Sequence, residues 1–247
     1  MRVITPPINL AENVICFSTT VDGGVSTGAY ESLNLAHHVQ DTNCDVSRNR
    51  QILNDYIKGI VPLAKPAVYM NQQHTTIVQD IDNSALNQNL AVDGVYTSKA
   101  LQPLAVMTAD CLPIVLSDGD KIAAIHAGWR GLVGNILGNA IANFSKASSI
   151  SVWVGPAISC ANFEVGDDTI ALFGAHAKHV YPARSKNKKL VDLKMICRDE
   201  LFKLGVTKVS LAEHCTYEDK CFFSHRRTIH SGLKNTGRNA TFILKTT

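Results

Sequence analysis

The chain has 247 residues, 45% of them apolar and 18% charged, with a net charge of +3. That balance is globular and leaves length for one sizeable core or two small ones. It excludes a membrane-spanning chain, because no run reaches ~18 apolar residues, and it does not suggest a nucleic-acid binder, because no basic stripe or aromatic stacking set is present. The polar residues Asn9, Glu12 and Asn13 stand where an export signal would need an apolar run. Seven cysteines are an odd count without a Cys-x-x-Cys pair, so reduced thiols in a cytoplasmic setting are expected.

In chain order, Val14–Thr20 reads as a strand and is followed by a glycine-rich loop from Val21 to Tyr30. Those glycines match neither a P-loop nor a dinucleotide fingerprint. A helix is expected from Val46 to about Lys58, capped by Asp45 and ended by Gly59. Ala67–Met70 is a short strand, His74 sits in a polar cluster after it, and Thr75–Val78 extends the β pattern. Asp82–Asn89 reads as a polar loop, Asp93-Gly94 as a turn and Leu104–Thr108 as a strand. Beyond the central stretch, a helix is expected over Gly131–Lys146, with Leu132, Val133, Ile136, Leu137, Ala140, Ile141 and Phe144 on one stripe. Ser151–Val154 is a strand, Asp167–Lys178 a helix, Ser185–Lys189 a solvated basic loop, and Leu193–Leu204 a helix ended by Gly205. Val206–Ala212 and Thr241–Leu244 complete the strands. No repeat or linker divides the chain, so residues 1–247 are taken as one domain.

The segment Met107–Gly131 carries the chemistry. Two apolar runs, Leu112–Leu116 and Ile122–Ile125, flank Ser117-Asp-Gly-Asp120, which predicts a β-hairpin. A loop centred on Asp118-Gly119 places Cys111 directly opposite His126, with β-carbons roughly 4.5–5.5 Å apart. A four-residue loop is preferred, because Pro113 then falls in a non-hydrogen-bonded pair and its missing N–H costs nothing. A thiol facing an imidazole has three readings: a buried cysteine beside a structural histidine, a Cys–His nucleophile pair, or two ligands of a metal site that needs more. Asp110 beside the thiol, and Gly128 and Gly131 around Trp129-Arg130, favour chemistry over packing.

The ordered motifs resemble the YfiH family, also called laccase-domain or polyphenol oxidoreductase proteins. The resemblance runs from about Phe17 to the C-terminus. It is carried by Gly23-Gly-Val-Ser with Ser32-Leu-Asn-Leu, Asn49-Arg50, Gln73-His74, Met107-Thr-Ala-Asp-Cys-Leu-Pro, His126-Ala-Gly-Trp-Arg-Gly, Gly155-Pro-Ala-Ile, Phe163-Glu-Val, Cys215-Thr-Tyr, Phe223-Ser-His-Arg-Arg and Thr236-Gly-Arg. It implies an α+β fold in which mixed β-sheets are layered against helices. It also implies a zinc site of His74, Cys111 and His126, which would act in catalysis; three protein ligands leave the fourth tetrahedral position open. The implied activities are phosphorolysis of adenosine, inosine, guanosine and methylthioadenosine, and hydrolytic deamination of adenosine. Phosphate-binding cations are sought among Arg50, Arg130 and Arg227, and ribose or base contacts among Asn34, Asp93 and the loop near Tyr30. Val21 stands where the family usually has an arginine, which removes a cation from that loop; Ser159-Cys160 replaces a Gly-Pro type pair, and the segment between Arg227 and Thr236 is longer than usual.

Two other readings compete. A metal-free cysteine hydrolase or amidase would use Cys111 as nucleophile and His126 as base, in keeping with a link of some relatives to peptidoglycan-precursor editing. A copper-dependent polyphenol oxidase, as the family's older name states, would need several coppers, and a single Cys/His cluster falls short of that.

Overall fold

The computed structural model describes residues 1–83 and 91–247, so most of the loop predicted over Asp82–Asn89 lies outside the described residues. In chain order the strands are β1 (Val3–Ile4), β2 (Val14–Thr19), β3 (Val68–Tyr69), β4 (Val78–Asp80), β5 (Gly94–Thr97), β6 (Leu104–Thr108), β7 (Leu112–Ser117), β8 (Ile122–Ala127), β9 (Ser151–Val154), β10 (Glu164–Gly166), β11 (Val180–Pro182), β12 (Lys188–Val191), β13 (Lys208–Leu211) and β14 (Asn239–Lys245). The helices are α1 (Asn43–Ile60), α2 (Trp129–Val133), α3 (Ile136–Ile141), α4 (Asp167–Ile170), α5 (Leu193–Lys203) and α6 (His225–His230). A six-stranded mixed sheet runs β13-β9-β7-β8-β5-β4, a five-stranded mixed sheet β1-β2-β14-β6-β3, and a small antiparallel sheet β10-β12-β11.

Side-chain alternation explains the layering. Along β6 and β14, Val106 and Ile243 point into a core shared with Val115, Ala124 and Trp153 of the six-stranded sheet. Their neighbours Ala105, Met107, Phe242 and Leu244 point the other way, onto Leu53 and Ile57 of α1. On the far face of the six-stranded sheet, Ile114, Leu116, Ala123, Ile125, Val152 and Val154 pack against α2, α3 and α5. The two larger sheets therefore lie face to face with helices outside each, and strands buried on both faces read as unbroken apolar runs. This is the expected α+β architecture of layered mixed sheets, in one domain.

Several elements depart from the sequence expectation. The hairpin β7–β8 is shifted by two residues: Ser117 pairs with Ile122 and Pro113 with His126. Asp118–Lys121 forms the loop, in which the Asp118 carboxylate accepts the N–H groups of Asp120 and Lys121. A slip of one residue would turn every side chain to the other face, whereas a slip of two preserves the face. Cys111 and His126 therefore still project to one side, diagonally rather than directly opposed. Pro113 does fall in a non-hydrogen-bonded pair, since the N–H of His126 turns away to the carbonyl of Asp93.

Asp93-Gly94 is not a turn. Gly94 opens β5, where a β-carbon would lie 2.7 Å from Ile125 Cδ1, so the glycine serves close packing. The cap of α1 is Thr42, whose hydroxyl accepts the N–H of Asp45, and the helix passes Gly59 to Ile60. The helix expected over Gly131–Lys146 is two short helices, broken where Asn135 adopts φ 72°; Asn139 then donates to the Thr76 carbonyl. The helix expected over Asp167–Lys178 is one α turn followed by 3-10 turns through His179. The basic loop at Ser185–Lys189 runs into β12, and α6 has no counterpart in the sequence reading.

One ion-pair cluster sets a pH dependence. Asp199 on α5 lies 2.5 Å from Lys178 Nζ and 2.7 Å from His179 Nε2. The Lys178 hydrogen bond, then that of His179, holds its carboxyl far below the usual carboxylate range. A folded pKa below the unfolded value of ~3.9 contributes stability that is complete above the unfolded value and is lost progressively as pH falls from there through the folded pKa. Thermal melts should therefore show the advantage of the wild type over Asp199→Asn at neutral pH closing as the pH is lowered below ~4.

Candidate metal centre

The ends of β6, β7, β8 and β5 converge at one edge of the two-sheet sandwich. Cys111 precedes β7, His126 is near the end of β8, and His74 lies in the loop between β3 and β4. One donor atom from each lies within 4.8 Å of the others. His74 Nε2 is 3.7 Å from Cys111 Sγ, and the two imidazole rings meet edge to face with centroids 4.8 Å apart. Among the described residues this is the one group of three or more His, Cys, Asp or Glu donors that could hold a metal ion.

The site is built around a buried carboxylate. Asp93 Oδ1 accepts from His126 Nδ1 at 2.6 Å and from the His74 N–H at 3.0 Å. Its Oδ2 accepts the N–H groups of Gln73 and Thr75 and the Thr75 hydroxyl. Because an ionised carboxylate only accepts, His126 must carry its proton on Nδ1, which leaves Nε2 to face the thiol. This carboxylate–histidine pairing is the usual partner arrangement of a metal-ligating imidazole. Burial alone would raise the Asp93 pKa, but the His126 hydrogen bond and charge, with Thr75, hold it down at about 2. Burial likewise opposes thiolate formation at Cys111, yet His126 and His74 bring its pKa down to about 6. Desolvation disfavours the His126 cation, and Cys111 with Asp93 overcomes this to raise its pKa to about 9. The chain thus presents a thiolate and two oriented imidazoles, a donor set suited to zinc, with no fourth protein donor in the group.

Two ligand-bearing turns are held in the left-handed region, His74 at φ 61° and Asp110, beside Cys111, at φ 91°. Asp110 is fixed by Thr216 Oγ1 and the Arg226 N–H, each at 2.7 Å. Gly128 closes the site from below: a β-carbon there would lie 2.7 Å from His74 Cδ2 and 3.2 Å from Cys111 Sγ. Gly128→Ala should therefore displace the ligands without removing one. We expect metal affinity to fall roughly 10–100-fold, as for other changes in ligand orientation, read by competition with a chromophoric chelator.

The three donor residues open into a cavity of about 450 Å³ lined also by His38, Gln72, Met107, Asp110, Trp129, Arg130, Ile158, Phe163, Leu193, His225, Arg226 and Arg238. Of the substrate contacts expected from sequence, Arg130 lines this cavity. Arg50 instead donates Nε to the Leu35 carbonyl and lies 3.8 Å over the Tyr69 ring. Arg227 holds the carbonyls of Thr216, Tyr217 and Phe222. Asn34 is buried, accepts the N–H groups of Ala36 and Arg238, and donates to Asp41. Asp93 stands behind the histidines. The sequence reading missed His38, His225, Arg226 and Arg238, although the last three lie in the motif blocks Phe223-Ser-His-Arg-Arg and Thr236-Gly-Arg. Consecutive residues of α6 differ by about 100° in direction, so Arg226 reaches the cavity where Arg227 cannot.

A mixed α/β sandwich with a three-donor group able to hold a metal ion at its open edge defines the class of protein. Residues 15–246 match the family described as multi-copper polyphenol oxidoreductase laccase. The chain is 37% identical to a purine nucleoside phosphorylase of Haemophilus influenzae, over 98% of this chain and 99% of that one. It is 36% identical to the purine nucleoside phosphorylase YfiH of Escherichia coli, covering 98% of each. The crystal structure of a Neisseria meningitidis protein superimposes with a TM-score of 0.89 at 35% identity, covering 100% of both chains. That of the hypothetical protein YfiH from Bacillus licheniformis gives 0.83 at 28% identity, over 94% of this chain and 92% of that one. The chain belongs to the YfiH family, the family of the laccase-type domain. No helix among the described residues is long and apolar enough to cross a membrane.

Proposed function

We propose that the chain is a zinc-dependent purine nucleoside phosphorylase of the cytoplasm, acting on adenosine, inosine, guanosine and methylthioadenosine. The observation that carries this reading is the three-donor group of His74, Cys111 and His126 at the wall of a cavity large enough for a nucleoside. Relatives named purine nucleoside phosphorylase support the reaction class. His74, Cys111 and His126 would hold the zinc, which supplies Lewis acidity beside the substrate. Of Arg50, Arg130 and Arg227, Arg130 is the one expected to contact substrate directly. Arg50, Arg227, Asn34 and Asp93 act on the substrate through the backbone and side chains they position. Hydrolytic deamination of adenosine is proposed as a second activity of the same site, since attack of water at C6 of adenine needs such a centre.

Product analysis after incubating zinc-loaded protein with adenosine, with and without phosphate, tests this. Adenine and ribose 1-phosphate formed only with phosphate support phosphorolysis. Inosine formed regardless of phosphate supports deamination. Absence of both products sinks the proposal. The cysteine-hydrolase reading draws on the thiolate–imidazolium character of Cys111 and His126. It requires activity that survives chelation and is lost on alkylation, whereas the zinc reading requires loss on chelation and recovery on adding zinc back.

A further inference from the structure

The lining of the cavity is unbalanced in charge. His38, Arg130, His225, Arg226 and Arg238 face it, and the one carboxylate among the described lining residues, Asp110, already accepts from Thr216 and from the Arg226 backbone. None of these three arginines forms an ion pair with a carboxylate of the described residues. Cys111 and Asp110 are the counter-charges that act on Arg238 at this wall; with three arginines and two imidazoles facing them the cations remain in excess, and such an excess marks a place for an anion.

Their origin narrows the position. Arg238 comes just ahead of β14 and His38 from the segment before α1, both belonging to the five-stranded layer and its helix. His225 opens α6. The Arg238 backbone N–H is pinned by Asn34 Oδ1 at 3.0 Å, and one of its amino groups donates to the Thr236 and Gly237 carbonyls; its other guanidinium N–H groups have no partner among the described residues. His38 and His225 line the same cavity as Arg238, and partial desolvation, followed by the Arg238 charge, lowers the pKa of both rings. Trp129, Phe163 and Leu193 instead belong to the outer core of the six-stranded layer. Arg130 on α2 lies over the Trp129 ring and Arg226 on α6 over the Phe163 ring, whereas Arg238 comes from the five-stranded layer and has no ring partner among the described residues.

We propose that His38, His225 and Arg238 form the seat for inorganic phosphate. This deepens, and rests on, the proposed phosphorolysis. In that reaction an oxygen of hydrogen phosphate bonds to C1′ of the ribose as the C1′–N9 bond breaks. The bonding pair leaves with the purine, and the proton given up by the phosphate ends on the base, so that free purine and ribose 1-phosphate are the products. Arg238 meets the phosphate as a planar, permanently charged donor, and the two imidazoles add N–H groups to the remaining oxygens.

The test uses the zinc-loaded full chain, with Arg238→Gln and His38→Gln variants checked for unchanged thermal melting. Titration with inorganic phosphate alone, by calorimetry and by the His38 ring signals in proton NMR, is expected to show saturable binding that either substitution weakens about 10–100-fold, as for loss of a hydrogen bond to a charged group. Steady-state kinetics should show the KM for phosphate rising by a similar factor while the KM for the nucleoside changes less than about threefold. A parallel arm offers adenosine 5′-monophosphate without phosphate, which separates a nucleotide's phosphate from the free anion. Phosphate binding that depends on Arg238 in a protein that does not cleave nucleosides would sink the phosphorylase reading and leave the seat standing. Cleavage with an unaltered phosphate KM in both variants overturns the seat alone. Tighter Arg238-dependent binding of the nucleotide than of phosphate, or no phosphate binding at all, overturns it as well.

Discussion

Cys111→Ala is expected to strip the chain of its metal and reduce nucleoside cleavage to background. Two neutral imidazoles remain after this change, without the anionic donor that distinguishes the site. Changes that only misorient a ligand cost about 10–100-fold in metal affinity, so loss of the thiolate itself should exceed that range. The measurement is metal content by plasma emission after dialysis, together with turnover. The same thiol gives an independent readout. With a pKa near 6, Cys111 is the thiolate-rich cysteine of the metal-free chain near neutral pH, while burial pushes Cys16 and Cys221 up to about 12. Iodoacetamide should modify Cys111 first in chelated protein, and bound zinc should protect it. Retained metal in Cys111→Ala, or equal labelling with and without zinc, would remove the thiol from the ligand set.

Asp93→Asn should be the most damaging change that leaves every ligand in place. The carboxylate receives five donors from four residues. An amide of the same shape has one acceptor oxygen, so its NH₂ must face either His126 Nδ1–H or the N–H groups of the 73–75 segment. Removing one member of a buried charged pair costs about 3–5 kcal/mol, and the freed imidazole can adopt the tautomer that places its proton towards the metal. Denaturant unfolding should show a loss in that range, and metal affinity should fall about 10–100-fold. Unchanged metal affinity in a destabilised protein would confine Asp93 to a structural role.

Much of this arrangement was legible in the residues. Leu104–Thr108 and Ser151–Val154 were readable to the residue, because both lie between turn signals and are apolar but for one terminal hydroxyl residue each. The shared face of Cys111 and His126 was readable too, although the exact register was not. Side-chain parity fixes a face, whereas the loop length depends on which groups Asp118 caps. Asp93-Gly94 misled because Asp-Gly has turn chemistry, while the packing of Ile125 and Val78 against Gly94 is a tertiary fact absent from local sequence. The helix over Gly131–Lys146 kept its apolar stripe but not its continuity, since contacts with the Thr76 segment override periodicity. The cationic wall was hidden for a related reason: Arg226 and Arg227 are adjacent in sequence, and the choice between cavity and backbone carbonyls rests on the orientation of α6.

The division of the cavity between two layers has a consequence for variation far from the metal. The seat proposed at His38 and Arg238 is anchored in the core of the five-stranded layer, His126 stands on β8 of the six-stranded one, and the packing between the sheets around Val106, Val115 and Trp153 helps to set their separation. A displacement of about 1 Å between reacting groups can cost 10²-fold in rate. Volume-conserving changes in that middle core, such as Val115→Ile with Ile243→Val, would then act as a vernier on alignment, altering turnover while leaving the donor atoms, and the melting temperature, nearly as they were.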